Sequence, residues 1–74
     1  MPSKYPVLRP EEITKTLQKM GFEFVSQNGS HMKYSNGVKT TIIPKHYEIA
    51  KGTLKGILQQ ADIPLEKFLK ELKG

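Results

Sequence analysis

The chain has no cysteine and no tryptophan among its 74 residues. Without cysteine it has neither a disulfide framework nor a thiolate metal site, so a small hydrophobic core must hold the fold unaided. It also lacks any stretch near the roughly 20 apolar residues of a membrane span, and its first ten residues lack the pattern of a signal peptide. These absences argue against secreted disulfide-rich and membrane-spanning classes, and they predict a soluble, cytoplasmic protein.

Acidic side chains are also scarce relative to basic ones. Seven Asp and Glu oppose twelve Lys and Arg, which gives a formal net charge of +5 and a pI of about 9.6. Such a charge attracts polyanions through the release of their counterions. Charge alone does not distinguish RNA, DNA, a membrane surface and an acidic protein partner.

Apolar spacing and turn signals predict an α+β fold in one domain, residues 1–74. Asn-Gly pairs at 28–29 and 36–37 are strong hairpin signals, and apolar residues recur at helical spacing on both sides of them. The predicted elements are a helix over Pro10–Met20, strands over Phe22–Gln27, Ser30–Ser35 and Val38–Ile43, a helix over Ala50–Ala61 and a short helix opened by Pro64. Gly56, inside the second long helix, predicts close packing against a neighbour or a substrate.

The strand register decides which side chains share a face. Three-residue loops ending at Gly29 and Gly37 would pair Met32 with Phe24 and with Thr40, leaving one apolar face for the helices. The predicted open face carries Glu23, Val25, His31, Lys33, Lys39, Thr41 and Ile43. Lys33 and Lys39 would then be directly opposite each other, at a cost of up to about 1 kcal/mol. A bound phosphate would offset that cost; alternatively, both side chains simply extend into water.

His31 is the predicted catalytic residue, because an imidazole titrates near neutral pH and serves general acid–base catalysis. It could take the proton of a ribose 2′-hydroxyl while the oxygen attacks the neighbouring phosphorus. The predicted acid or phosphate-binding residues are His46, Lys33 and Lys39. The plainer interpretation is that both histidines are ordinary polar surface residues. Ser30 has no visible base and carboxylate partner, which argues against a serine nucleophile.

The sequence predicts no metal site and no cofactor. Zinc needs several His or Cys ligands, whereas this chain offers two histidines fifteen positions apart. Two-metal chemistry needs converging carboxylates, but Glu11 and Glu12 begin one predicted helix and Glu66 and Glu71 lie on another.

Several short motifs occur in a distinctive order: Gly29-Ser30-His31 followed by Tyr34, then Pro44-Lys45-His46, then a run from Gly52 to Ala61. This order resembles the HicA family of small bacterial and archaeal toxins, over about Ile13 to Ile63. The resemblance implies a double-stranded-RNA-binding-domain-like fold with an α-β-β-β-α core, messenger RNA cleavage with His31 as the catalytic residue, and a HicB antitoxin as partner. The N-terminal decapeptide and the last helix lie at or beyond its edges, so their roles stay open.

Two other function classes stay open. A non-catalytic double-stranded-RNA-binding module would hold RNA through phosphates and 2′-hydroxyls, with Lys45, Lys51 and Lys55 at the start of the second long helix as the predicted RNA-binding residues. A pure protein-interaction subunit would show no RNA affinity at low salt.

Overall fold

A computed structural model describes residues 5–74. Its elements are α1 (Pro10–Lys19), β1 (Glu23–Asn28), β2 (His31–Ser35), β3 (Thr40–Pro44), α2 (Lys51–Ala61) and α3 (Leu65–Lys73). The strands form an antiparallel sheet in the order β1-β2-β3. The predicted α+β fold, a three-stranded meander with helices on one face, is confirmed. No helix within residues 5–74 is long and apolar enough to cross a membrane.

Helix α1 begins at Pro10, whose missing N–H costs nothing in the first turn. The Glu12 carboxylate accepts a hydrogen bond from the Arg9 backbone N–H at 2.8 Å, which fixes the chain just before the helix. Beyond the helix, Gly21 takes a φ of 95°, and the Phe22 N–H donates to the carbonyl of Leu17. Both ends of α1 are therefore set by local chemistry.

The core lies between the three helices and one face of the sheet. Helix α2 packs on β3, and α1 packs against α3. The fully buried large side chains are Phe68, Ile13, Leu17, Ile43, Ile49, Leu54 and Leu58. Phe68 belongs to α3 and is 0% exposed, so the last helix completes the hydrophobic core. Lys19 Nζ also donates to the carbonyl of Glu71 at 3.1 Å, which joins α1 to α3.

The predicted strand register is wrong at both hairpins. Met32 pairs with Gln27 and Ile43, whereas Phe24 and Thr40 were predicted. The first loop has two residues, Gly29 and Ser30, and the register between β1 and β2 shifts by one between Phe24 and Ser26. Val25 is therefore the extra residue of a β-bulge.

The β2–β3 connection has four residues, which moves β3 relative to the prediction. The Asn36 side-chain oxygen accepts hydrogen bonds from the backbone N–H groups of Val38 and Lys39, at 2.9 and 2.7 Å. The Asn36 N–H in turn donates to the Lys39 carbonyl at 3.1 Å. Asparagine side chains commonly organise turns in this way. Lys39 therefore lies in the turn, and Thr40 is the first residue of β3, opposite Ser35.

Two residues predicted on the open face lie in the core instead. Thr41 and Ile43 are both 0% exposed, on the face that Tyr34 and Met32 share with the helices. The Thr41 hydroxyl lies 2.9 Å from the carbonyl oxygen of Ile57 and 3.1 Å from Oε1 of Gln60. Because these acceptors satisfy the hydroxyl, a threonine is tolerated in the interior.

Strand β1 is exposed along its whole length in the described part of the chain. Phe24 and Val25 keep 51% and 54% of their surface exposed. The Phe24 ring packs edge to face on the Tyr34 ring, with 5.8 Å between the ring centroids. The helices therefore cover β3 and part of β2, and β1 extends beyond them. Close packing of Gly56 against another part of the chain is wrong, since outside its chain neighbours and its own helix backbone no described atom lies within 4 Å of the position that a Cβ would take. Packing against a substrate stays a prediction.

Candidate functional site

His31 is the first residue of the middle strand and is exposed. Its neighbours across the sheet are Asn28 on β1 and Pro44 on β3. The predicted pairing of Met32 with Phe24 and Thr40 would have placed Val25 and Thr41 there instead. Side chains alternate along a strand. Since Tyr34 is buried on the helix side, His31 lies on the opposite, open face of the sheet.

The turn before His31 places its strand. Gly29 has a φ of 63° at the first of two loop positions, where type II′ hairpin turns place glycine. The Gln27 side-chain amide donates to the Gly29 carbonyl at 2.9 Å. The carbonyl of Ser30, the second loop residue, accepts the Lys45 N–H at 2.6 Å. The turn before β2 is therefore hydrogen-bonded directly to the segment that follows β3.

Lys33 lies on the same open face as His31, two residues further along β2. That spacing puts their Cα atoms about 6.6 Å apart. Lys33 is exposed, and its partners across the sheet are Ser26 and Ile42. One cation therefore lies beside the imidazole on the middle strand.

Lys39 does not join this group, so the predicted pairing of Lys33 with Lys39 is wrong. Lys39 lies in the turn beyond the far end of β2, and His31 is about 13 Å from that end of the strand. The suggestion that a phosphate offsets repulsion between two facing lysines therefore loses its basis.

The remaining predicted site residues lie on the β3–α2 loop and on α2. Lys45 and His46 directly follow Pro44 and are exposed, at the end of the sheet where β2 begins. Lys51 is the first residue of α2, and Lys55 lies one turn later on the same exposed stripe. The chain thus places a histidine and a lysine next to the strand end that carries His31, with two further lysines at the start of α2.

The described residues, 5–74, contain no group of three or more His, Cys, Asp or Glu side chains that could hold a metal ion. A groove of about 400 Å³ lies elsewhere, between the end of α1, the α2–α3 joint and Asn36. None of the predicted site residues that the structure describes lines this groove. The candidate site is therefore an open sheet end and not a closed pocket.

Sequence reasoning missed one contact near this site. The Arg9 guanidinium carbon lies 5.4 Å from the centroid of the Tyr47 ring, and Tyr47 is 77% exposed in the β3–α2 loop. An aromatic residue directly after Pro44-Lys45-His46 was a visible signal. Its partner, 38 positions earlier in the chain, could not be inferred without the fold.

Comparison with known proteins gives one family. A search of curated proteins found no match. The family model described as HicA toxin of bacterial toxin-antitoxin matches residues 10–63, from the first residue of α1 to just beyond α2. The match includes β1, β2, β3 and both histidines, and it leaves out α3. Since it covers more than half of the chain, the protein belongs to the HicA toxin family of toxin–antitoxin systems.

Proposed function

We propose that this protein is a toxin endoribonuclease that cleaves mRNA by acid–base catalysis at His31 without a metal ion. Family membership supports the coarse function, a toxin of the RNase type. The observation that carries the finer proposal is the position of His31, exposed on the open face of the middle strand with Lys33 on the same face. An RNA strand could reach this imidazole without any rearrangement of the core.

The proposed reaction is internal transfer at phosphorus. Neutral His31 takes the proton of a ribose 2′-hydroxyl, and the 2′-oxygen forms a bond to the adjacent phosphorus. The bond from phosphorus to the 5′-oxygen breaks, and an acid donates a proton to that leaving oxygen. The products are a 2′,3′-cyclic phosphate and a 5′-hydroxyl. General acid–base catalysis of this kind contributes about 10²–10⁴-fold.

We assign the acid role to His46 and charge stabilisation to Lys33. His46 follows Lys45, whose N–H is anchored to the Ser30 carbonyl next to His31. Lys33 lies on the open face, where its ammonium can stabilise negative charge that develops on the phosphoryl oxygens. Lys39 has no place in this mechanism, because the observed register removes it from the group.

The start of α2 supports RNA binding. Lys51 and Lys55 share an exposed stripe, and in the described part of the chain no side chain hydrogen-bonds to cap the helix N-terminus. Backbone N–H groups and lysines in this arrangement suit phosphates. The same feature supports the second candidate function, a non-catalytic double-stranded-RNA-binding module, in which these lysines and Lys45 would account for the whole activity.

Membership of the family implies a cognate antitoxin. We propose that the antitoxin is a HicB-like protein that covers the open face and thereby excludes RNA from His31. We also place the activity in the cytoplasm, where mRNA is found.

The two functions are separated by His31→Ala. Wild type, this variant and Val38→Ala would be incubated as purified proteins with labelled RNA and with EDTA, and the cleaved ends mapped. Val38→Ala is the matched control, because Val38 is 82% exposed in the turn beyond the other end of β2.

We expect His31→Ala to lose at least about 100-fold in cleavage rate while it still binds RNA. Val38→Ala should cleave like wild type, with 2′,3′-cyclic phosphate ends. Cleavage by His31→Ala at the wild-type rate would contradict the catalytic assignment. RNA binding by wild type without cleavage would favour the binding module, and loss of cleavage in EDTA would contradict the metal-independent mechanism.

A further inference from the structure

Tyr47 is the most exposed aromatic side chain in the described part of the chain, at 77%. It lies in the β3–α2 loop directly after His46. A single apolar residue on a protein surface needs no special explanation. Tyr47 differs because a cation is held against its ring: the Arg9 guanidinium carbon lies 5.4 Å from the ring centroid, within cation–π range.

The backbone holds Arg9 in this position from both sides. Leu8 forms an isolated antiparallel bridge with Ile49, and the Ile49 N–H donates to the Leu8 carbonyl at 2.6 Å. The Arg9 N–H donates to the Glu12 carboxylate at 2.8 Å. Both hydrogen bonds use backbone groups of the N-terminal segment, so the guanidinium itself is free to lie against Tyr47.

The ring keeps a large open surface although Arg9 lies close to it. The loop that carries it starts at Lys45, whose N–H is bonded to the Ser30 carbonyl next to His31. The ring therefore belongs to the same end of the sheet as the proposed catalytic imidazole. Three cations lie in this region, Arg9, Lys45 and Lys51, and they outnumber the carboxylates of Glu12 and Glu48.

We infer that Tyr47 and Arg9 form a stacking surface for an unpaired RNA base next to the cleavage site. Unpaired bases stack on aromatic rings and on Arg guanidinium planes, whereas an A-form duplex keeps its base faces covered. The local excess of cations favours a polyanionic RNA over a protein as the occupant. This inference rests on the proposed RNA substrate, and it names single-stranded RNA as the class that the site accepts.

The N-terminal segment then has a function. Arg9 lies just outside the region of the chain that the family model matches, whereas Tyr47 lies inside it. The segment before α1 would supply the second half of a base-binding surface whose first half is on the β3–α2 loop.

The test uses RNA that cannot be cleaved. A single-stranded oligonucleotide with 2′-O-methyl groups throughout and one 2-aminopurine has no free 2′-hydroxyl, so binding is measured whichever residue is catalytic. Dissociation constants would be measured for wild type, Tyr47→Ala, Tyr47→Phe, Arg9→Gln and Val38→Ala, with quenching of 2-aminopurine as the signature of stacking. A duplex of the same length serves as the second ligand.

We expect Tyr47→Ala to weaken single-strand binding by about 5- to 150-fold, the range found when a base-stacking aromatic is removed. Tyr47→Ala should also lose the quenching of 2-aminopurine, whereas Tyr47→Phe should retain both the affinity and the quenching of wild type. The affinity of Arg9→Gln should lie between those of wild type and Tyr47→Ala. Val38→Ala should match wild type, and duplex binding should be insensitive to Tyr47→Ala.

Three results overturn the inference, and they are distinguishable. If wild type binds RNA and Tyr47→Ala binds equally well with equal quenching, the stacking surface is wrong while the proposed nuclease stands. If wild type binds neither RNA at low salt, the proposed function fails and the inference with it. If Tyr47→Ala binds RNA like wild type but binds the purified antitoxin more weakly, Tyr47 belongs to the surface for the protein partner, and the inference is also overturned.

Discussion

Replacement of Thr41 by valine tests the strand register that sets the neighbours of His31. In the observed register the Thr41 side chain is 0% exposed, and its hydroxyl lies 2.9 Å from the Ile57 carbonyl and 3.1 Å from Gln60 Oε1. In the register predicted from loop lengths, the same side chain would lie on the open face. Valine has almost the same shape as threonine, so the substitution removes the hydrogen bond and little else.

The expected loss of stability is about 1 kcal/mol, the typical net contribution of one intramolecular hydrogen bond. The loss of stability is not larger because each of the two acceptors keeps another hydrogen bond. Gln60 Oε1 still accepts the Ile42 N–H at 2.9 Å, and Ile57 lies inside α2, where its carbonyl also accepts a helical hydrogen bond. For a domain of this size, 1 kcal/mol corresponds to a fall of about 4–8 °C in Tm.

The assay is urea unfolding of the full chain, followed by far-ultraviolet circular dichroism, with Thr40→Val as the matched control. Thr40 neighbours Thr41 on β3 but is exposed, so its substitution should change the free energy of unfolding by no more than about 0.5 kcal/mol. The m-value should be the same for all three proteins. If both variants match wild type, Thr41 is not buried, and the β2–β3 register that pairs His31 with Pro44 is refuted.

Two further predictions concern the turn before His31 and the charge beside it. Gly29→Ala should destabilise the protein by about 1–2 kcal/mol, because Gly29 has a φ of 63°. Gly56→Ala should stabilise it by about 0.5–1 kcal/mol, because Gly56 lies within α2 and there is room for a methyl group. Equal urea midpoints for the two variants would contradict this prediction. For single-stranded RNA that cannot be cleaved, Lys33→Gln should reduce the slope of log K against log salt by about 0.7. Lys39→Gln should change the slope less, and equal slopes for the two variants would count against the assigned role of Lys33.

The order of the elements could be predicted from sequence because each has a local cause. Pro10 and the glutamates after it favour the start of α1, and the observed helix ends one residue before the predicted Met20. The two Asn-Gly pairs mark both hairpins, and each predicted strand overlaps an observed one. The open position of His31 also agrees with the prediction.

The register could not be predicted, because it depends on contacts between distant parts of the chain. From sequence alone Thr41 is interpreted as a solvent-facing residue, because its contacts with Ile57 and Gln60 depend on the packing of α2 against the sheet. The length of the second loop depends on the side chain of Asn36, which bonds two successive N–H groups. The pairing of Arg9 with Tyr47 is a third such case, since it requires the segment before α1 to reach the β3–α2 loop.

The contact of Gln60 with Ile42 has a consequence for how the sheet can be extended. The Ile42 N–H points away from β2 and is already bonded to Gln60, and Pro44, which faces the same way, has no N–H to offer. That side of β3 therefore presents almost no donors to a foreign backbone. At the other edge of the sheet, β1 is an exposed edge strand in the described residues. A fourth strand, from a second copy or from another protein, could therefore add to the sheet at β1 and not at β3.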